Sequence, residues 1–191
     1  MILYVHGFNS SPASTKARQL QAYLDARGRG GKFACPALPH RPAQAIELLE
    51  REMAKAGTAS VTLVGSSLGG YYSTWLAEKH GIKAVLVNPG LDAHEGLRAY
   101  LGPQQNLYTG EPYELTVQHL DELRALQVDR PTRMERYYLM VTTGDEVLDY
   151  RKAVARYPGA KQLVIRGSDH GFAEFEQYLD SVVAFADGRS L

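Results

Sequence analysis

Six short apolar runs alternate along this chain with stretches in which apolar residues recur at helical spacing, and this alternation constrains the fold more than any other feature. The runs are residues 2–5, 33–38, 61–64, 82–87, 137–143 and 162–165. Regular alternation of strands and helices is typical of a parallel sheet covered by helices on both faces. The sequence therefore predicts an α/β fold with about six parallel strands, and Pro36 indicates that the second strand lies at an edge.

The helical stretches have apolar faces and recognisable ends. Helices are predicted over residues 14–27, from Pro42 to Gly57, and from Ser67 to about His80. A terminal helix is predicted from five apolar residues that share one face, namely Phe172, Phe175, Leu179, Val182 and Ala186.

Residues 102–131 interrupt the alternation between the fourth and fifth apolar runs. They contain an irregular, tyrosine-bearing piece at 106–113 and then a helix with Leu120, Leu123 and Leu126 on its faces. Because long insertions at strand ends often cover a site, we expect a small helical cap, with a surface decoration as the alternative. Residues 1–191 are then one domain with a cap insertion at about 102–131.

Composition argues against several classes of partner. The 21 basic and 21 acidic side chains leave no net charge, and no basic run indicates nucleic acid or an anionic membrane. No apolar segment approaches the length of a membrane span, and the short apolar start lacks the basic leader of a signal peptide. The single cysteine, Cys35, fits a reducing compartment. We expect a soluble cytoplasmic protein, and the sequence leaves its oligomeric state open.

The third apolar run leads into Gly65-Ser66-Ser67-Leu68-Gly69, which fits the G-x-S-x-G pattern of a nucleophile elbow. In such an elbow a sharp strand-to-helix turn holds the serine in a strained conformation, and side chains in place of the two glycines would clash. The turn raises the serine oxygen above the sheet and sets the next amides at the positive end of a helix. We predict that Ser67 is a nucleophile and that Ser66 is a spacer.

A serine hydroxyl needs a base to take its proton, and His170 is the best placed of the six histidines. It follows the last apolar run, in a glycine-bearing loop at the predicted carboxyl edge of the sheet. His6 also ends a strand, but Gly7 and Phe8 after it suggest another role. Surface or structural roles are expected for the remaining four, which are His40, His80, His94 and His119.

The base in turn needs a carboxylate that holds its tautomer. Asp145 follows the fifth apolar run, so acid and base would come from adjacent strand ends. Glu146, Asp149 and Asp169 are rivals for this role. Asp149 is expected to cap a helix, and Asp169 neighbours His170 in the chain, where adjacent side chains tend to point apart.

Two backbone amides are predicted to stabilise an oxyanion. One is the amide of Leu68, directly after the nucleophile. The second would come from His6-Gly7-Phe8-Asn9, where Gly7 lets the backbone turn its amides inward and makes Phe8 the natural donor. The sequence contains no motif for a metal ion or a nucleotide, so no cofactor and no metal are expected.

Six segments together resemble the YqiA-like esterase family of bacterial α/β-hydrolases, and they are residues 3–12, 65–72, 87–89, 108–111, 143–150 and 167–172. The resemblance covers almost the whole chain. It implies a compact α/β-hydrolase without the usual antiparallel leading strands and with esterase activity toward short acyl esters. It also implies that Ser67, Asp145 and His170 are the nucleophile, acid and base, and that the Phe8 and Leu68 amides form the oxyanion hole.

The sequence therefore predicts a serine esterase that hydrolyses small acyl esters through an acyl-enzyme intermediate. The short cap leaves little room for a long acyl channel, so acetyl to butyryl esters are expected to react faster than palmitoyl esters. Two alternatives remain open. One is a thioesterase or peptidase that uses the same residues, and the other is a non-catalytic binding protein with a hydrolase fold.

Overall fold

The computed structural model describes residues 1–189, so the last two residues of the predicted single domain, 1–191, lie outside the described part. Its eight strands, in chain order, are β1 (Ile2–Val5), β2 (Phe33–Ala34), β3 (Thr62–Ser66), β4 (Lys83–Val87), β5 (Gly102–Gln105), β6 (Pro112–Leu115), β7 (Tyr137–Thr142) and β8 (Lys161–Ile165). Six of them form a parallel sheet in the order β2-β1-β3-β4-β7-β8, and β5 and β6 form a separate antiparallel pair. The predicted parallel α/β fold is confirmed.

Helices cover both faces of the sheet. In chain order they are α1 (Thr15–Asp25), α2 (Pro42–Ala56), α3 (Leu68–His80), α4 (Ala93–Gly96), α5 (Val117–Ala125), α6 (Tyr150–Arg156) and α7 (Leu179–Asp187). Helices α1 and α7 pack on one face, and α2, α3 and α6 pack on the other, where α5 lies against α2. Among residues 1–189, no helix combines the length and the apolar character that crossing a bilayer requires.

Successive residues of the central strands point to opposite faces and are buried on both. In β1, Leu3 and Val5 belong to the core under α2 and α3, whereas Ile2 and Tyr4 belong to the core under α1 and α7. Burial on both faces explains why the strands are apolar without alternation. Because the strands are parallel, the carboxyl ends of β1, β3, β4, β7 and β8 meet at one edge, which carries the predicted site residues.

Two glycines permit the tight turn between β3 and α3. A Cβ on Gly65 would lie 2.3 Å from the Gly69 carbonyl oxygen, and a Cβ on Gly69 would lie 1.8 Å from the Val5 carbonyl oxygen. The clash expected at these positions is therefore a clash with backbone atoms. Ser67 lies between them with φ 54° and ψ −119°, a sparsely populated conformation that costs about 1–3 kcal/mol.

The second strand is shorter than predicted, residues 33–34 instead of 33–38. Pro36 has no N–H to donate to a ladder, and the Leu38 amide donates to Nε2 of His6 at 3.1 Å instead. The strand does lie at the edge of the sheet, as Pro36 indicated.

The insertion at 102–131 begins with a β-hairpin that was not predicted, and the piece predicted to be irregular, residues 106–113, is its turn together with the first two residues of β6. Each strand of the hairpin is four residues long and contains a proline, so neither has the usual pattern of a strand. In the turn between them, Oδ1 of Asn106 accepts hydrogen bonds from the Tyr108 and Thr109 amides. The predicted helix follows as α5, with Leu120 and Leu123 buried.

The C-terminal helix begins later than the apolar spacing predicted. Phe172 and Phe175 are buried together with α7, but Phe172 has φ 57°, and a 3₁₀ turn at Phe175–Tyr178 precedes the helix. The apolar spacing predicted correctly that these residues are buried. It was wrong that they lie on one continuous helix, because a left-handed residue cannot lie within an α-helix.

Candidate active site

The predicted nucleophile, base and acid lie together at the carboxyl edge of the sheet. Oγ of Ser67 is 3.0 Å from Nε2 of His170, and Nδ1 of His170 is 2.8 Å from Oδ2 of Asp145. Since an ionised carboxylate can only accept, Nδ1 carries the proton and Nε2 accepts the hydrogen bond from the Ser67 hydroxyl. The three side chains form one continuous series of hydrogen bonds, here called the Ser67 series.

The Asp145 carboxylate is buried and fixed by backbone amides. Its side chain is 2% exposed, and Oδ1 accepts hydrogen bonds from the amides of Val147 and Leu148, both at 2.8 Å. The other oxygen, Oδ2, is left for the histidine. The turn after β7 therefore holds this carboxylate in one orientation.

The three rival residues make other contacts. Oε2 of Glu146 accepts a hydrogen bond from the His170 backbone amide at 3.0 Å, and this bond lowers the pKa of Glu146 from its ordinary value. Asp149 caps α6 by accepting from the Arg151 amide at 3.0 Å, as expected. Asp169 contributes its carbonyl oxygen to a buried network. Within residues 1–189, Asp145 is the carboxylate in contact with the His170 ring.

Asn88 holds the loop that carries His170, a role that no local sequence pattern predicted. Asn88 is 2% exposed, and its Nδ2 donates to the carbonyl oxygens of Asp169 and His170 at 3.2 and 3.1 Å. Its Oδ1 accepts from the Thr142 amide at 3.0 Å. The sequence signals were an asparagine directly after the fourth apolar run and the family resemblance of segment 87–89.

The two predicted oxyanion donors are free to bind a ligand. Neither the amide of Phe8 nor that of Leu68 makes a hydrogen bond within residues 1–189. The loop of Phe8 also approaches the nucleophile closely, because a Cβ on Gly7 would lie 3.3 Å from Cβ of Ser67. Two unpaired N–H groups beside a serine are the arrangement that stabilises negative charge on an oxygen.

His6 fixes the start of this loop. It is 4% exposed, and its Nε2 accepts from the Leu38 amide, so the proton lies on Nδ1, which donates to the Gly7 carbonyl at 3.1 Å. Burial lowers the pKa of His6, and the ring is held neutral. The structure thus gives His6 a supporting position behind the loop and outside the Ser67 series.

Three of the remaining four histidines have hydrogen-bonded partners, whereas Nδ1 of His94 is buried without one in the described chain. His119 is buried at the start of α5, where its ring accepts from the Thr116 amide at 3.1 Å, and its Nε2 lies 2.9 Å from Nδ1 of His40. His80 lies 2.8 Å from a Glu50 oxygen. Among residues 1–189, no three histidine, cysteine, aspartate or glutamate side chains come together as ligands for a metal ion.

The β5–β6 hairpin is docked on the loop that carries the Phe8 amide. The Tyr113 hydroxyl donates to Oδ1 of Asn9 at 2.6 Å, and the Leu107 amide donates to the Asn9 carbonyl at 2.9 Å. Nδ2 of Asn106 donates to the Ser10 carbonyl at 2.8 Å. Burial raises the pKa of Tyr113 to about 12, which keeps the hydroxyl protonated as a donor.

Two cavities flank this loop. The first, here called the nucleophile cavity, has a volume of about 390 Å³. Its lining includes Ser14, Lys16, Ser67, Leu107, Tyr108 and His170. The second, here called the aromatic cavity, has a volume of about 290 Å³. Its lining includes Leu38, Pro39, His40, Leu68, Tyr72 and Tyr113. Of the two residues predicted to donate to an oxyanion, Phe8 lines both cavities and Leu68 lines the aromatic cavity.

Comparison with protein families agrees with the resemblance seen in the sequence. A family model described as "Uncharacterised protein family (UPF0227)" matches residues 1–187. A UPF0227 protein of Vibrio cholerae is 23% identical over 188 residues, which cover 97% of this chain and 98% of the relative. A UPF0227 protein of Shewanella sediminis is 30% identical over 99 residues. This match covers 51% of this chain and 55%, about half, of the relative's length.

Solved structures of similar shape are α/β-hydrolases. The α/β hydrolase domain-containing protein 10 from mouse has a TM-score of 0.74 and 14% identity, with 98% of this chain and 89% of that chain covered. The esterase domain of a Rhodothermus marinus protein has a TM-score of 0.67 and 18% identity, with 97% and 85% covered. At these identities the likeness shows the fold, which is that of the α/β-hydrolases.

Proposed function

Because this chain belongs to the UPF0227 family, the YqiA family of the sequence resemblance, and has the α/β-hydrolase fold, we propose that it is a serine hydrolase of carboxylic esters. The observation that carries the proposal is the hydrogen-bonded series from Asp145 through His170 to Ser67, with Ser67 in a strained turn. A serine, a histidine and a buried carboxylate in this order are the parts needed to activate a hydroxyl.

In the proposed reaction, Nε2 of His170 takes the Ser67 proton as Oγ attacks the acyl carbon. Asp145 stabilises the imidazolium that forms. The tetrahedral intermediate then breaks its bond to the alcohol oxygen, which receives the proton from His170, and the acyl group stays on Ser67. Water that His170 activates releases the acid and restores the serine.

The amides of Phe8 and Leu68 are proposed to donate to the oxyanion of both tetrahedral intermediates. Each such donor contributes about 10²–10³ in kcat in serine hydrolases. Both N–H groups are unpaired within residues 1–189, so no internal hydrogen bond has to break when the oxyanion forms.

The volumes of the cavities support small substrates. The aromatic cavity, at about 290 Å³, and the nucleophile cavity, at about 390 Å³, are close to the lower limit of the range of about 300–1,000 Å³ that is usual for small-molecule sites. The docked hairpin is the proposed cap, because its turn lines the nucleophile cavity with Leu107 and Tyr108 and its second strand lines the aromatic cavity with Tyr113. Acetyl to butyryl esters are therefore proposed as substrates in preference to palmitoyl esters.

A panel of acyl compounds tests this function. Wild type is expected to hydrolyse 4-nitrophenyl acetate and butyrate faster than the palmitate, and Ser67→Ala to lose about 10⁴-fold or more of kcat. Thioesters and aminoacyl amides in the same panel address the thioesterase and peptidase alternatives. Fastest turnover of palmitate would contradict the short-chain proposal. Absence of any Ser67-dependent hydrolysis would favour the non-catalytic binding protein.

A further inference from the structure

Lys16 brings a positive charge into the nucleophile cavity, and no aspartate or glutamate is among the residues that line that cavity in the described chain. Its Nζ donates to the Gly171 carbonyl at 2.5 Å. No carboxylate oxygen within residues 1–189 lies within 4.0 Å of this nitrogen. Burial lowers the pKa of Lys16, although the more distant charges of Asp169 and Asp145 oppose the shift. A half-buried ammonium without a contacting carboxylate would gain from a bound anion.

The N-terminal end of α1 borders the same cavity. The backbone amides of Thr15, Lys16 and Ala17 have no hydrogen-bond partner within residues 1–189. Ser14 precedes the helix, and its Oγ is buried, makes no capping bond and has no partner in the described chain. Since Ser14, Thr15 and Lys16 all line the nucleophile cavity, the ammonium and the positive end of the helix act on one location.

The proposed reaction decides which part of the substrate meets these groups. The alcohol oxygen must receive its proton from Nε2 of His170, so the leaving alcohol lies on the histidine side of the acyl carbon. His170 lines the nucleophile cavity and is not among the residues that line the aromatic cavity. The acyl chain is then left for the aromatic cavity, where Phe8, Leu38 and Tyr72 offer apolar surface beside polar groups such as Gln44 and Glu111.

We infer that the alcohol part of the natural ester carries an anionic group, a carboxylate or a phosphate, which Lys16 binds at the N-terminus of α1. This inference rests on the proposed function, because it names a substrate class for the same site. It makes Lys16 a specificity residue that recognises the leaving group and takes no proton in the reaction.

Two butyrate esters test the inference. The first is 4-nitrophenyl butyrate, and the second carries a carboxylate at position 3 of the same ring. We expect wild type to have the higher kcat/KM for the carboxylate ester. Lys16→Met should lower the ratio of the two kcat/KM values about 10-fold or more, and Lys16→Arg should keep most of it. Because both substrates are measured on one preparation, a partly unfolded variant does not alter the ratio.

Lys32 is the matched control. It is an exposed lysine before β2, at the opposite end of the sheet, and Lys32→Met should leave the ratio at the wild-type value. An equal loss of kcat/KM for both esters in Lys16→Met would overturn the inference, since Lys16 would then act only by holding the His170 loop through Gly171. Failure of wild type to hydrolyse either ester would contradict the proposed function and this inference with it.

Two inhibitors distinguish the kinds of anion. Phenyl phosphate and benzoate, with neutral phenol for comparison, are measured as competitive inhibitors of 4-nitrophenyl butyrate hydrolysis. Stronger inhibition by either anion, reduced in Lys16→Met and weakened by salt, supports the inference and identifies the preferred group. Inhibition by both anions no stronger than by phenol would contradict it.

Discussion

The side-chain amide of Asn88 donates to the backbone carbonyl of His170 at 3.1 Å, so the end of one strand holds the loop of the proposed base. The same nitrogen donates to the Asp169 carbonyl, and the Asn88 oxygen accepts from the Thr142 amide. All of these contacts are made by a residue that is 2% exposed. The position of the His170 loop therefore depends on a buried amide that lies 82 residues earlier in the chain, at the end of a strand two places away in the sheet.

Replacing Asn88 by aspartate should displace the His170 loop. The carboxylate oxygen would face two carbonyl oxygens where the amide now donates, and lost buried hydrogen bonds cost about 1–3 kcal/mol each. We expect lower stability in urea and a kcat/KM reduced about 10-fold or more in the protein that remains folded. Wild-type kcat/KM in Asn88→Asp would show that the loop does not need this support.

Removing the Tyr113 hydroxyl should loosen the loop that carries the Phe8 amide. The hydroxyl donates to Oδ1 of Asn9 at 2.6 Å, directly after Phe8. Tyr113→Phe is expected to lower kcat for 4-nitrophenyl butyrate about 10-fold, since small displacements of catalytic groups have large effects on rate. Tyr100→Phe is the control, because Tyr100 is 49% exposed and its hydroxyl has no partner in the described chain. Equal rates in the two variants would contradict this prediction.

Stability should fall in mildly acidic solution, in part because of His6. Burial lowers the pKa of His6 from 6.5, so at pH values near and below 6.5 the unfolded chain binds more protons than the folded protein. The free energy of unfolding therefore rises with pH through this range, and the stability that neutral His6 contributes is lost as the pH falls. The free energy of unfolding, measured with urea at several pH values between about 7 and 5, should change less steeply with pH in His6→Gln than in wild type. Identical slopes would mean that His6 does not contribute.

Alanine at Gly69 should prevent or strongly weaken folding. The added Cβ would lie 1.8 Å from the Val5 carbonyl oxygen, and neither backbone can move without disturbing the β1–β3 pairing. We expect a loss of about 3 kcal/mol or more, measured by urea unfolding. Gly96→Ala is the matched control, because a Cβ there meets nothing within 4 Å, and its effect should be about 0.5 kcal/mol or less. Comparable stability of the two variants would argue against a tight elbow.

Local patterns predicted the sheet, most helices and the residues of the Ser67 series. These features follow from the periodicity of apolar residues, from glycines in turns, and from a serine, an aspartate and a histidine that follow three of the predicted strands in that order. What the sequence did not reveal are contacts between distant segments. Asn9 and Tyr113 are 104 residues apart, and Lys16 and Gly171 are 155 apart. A hydrogen bond of this kind leaves no local pattern, so the docked hairpin and the Lys16 contact required the three-dimensional structure.

The boundaries that were wrong have a common physical cause. Pro36 ends β2 early, prolines conceal the strands of the hairpin, and the left-handed Phe172 delays α7. At each of these places the backbone conformation of one residue overrides the apolar pattern around it. Burial was predicted better than regular structure for this reason.

The most direct test of the central claim is to map the residue that a fluorophosphonate modifies. Wild type is expected to carry one covalent adduct, located on Ser67 by peptide mass spectrometry. Ser67→Ala should carry none, and Ser66→Ala should still be labelled on Ser67, because Ser66 lies in the strand and outside the hydrogen-bonded series. An adduct on another residue, or labelling that persists in Ser67→Ala, would contradict the assignment of Ser67 as the nucleophile.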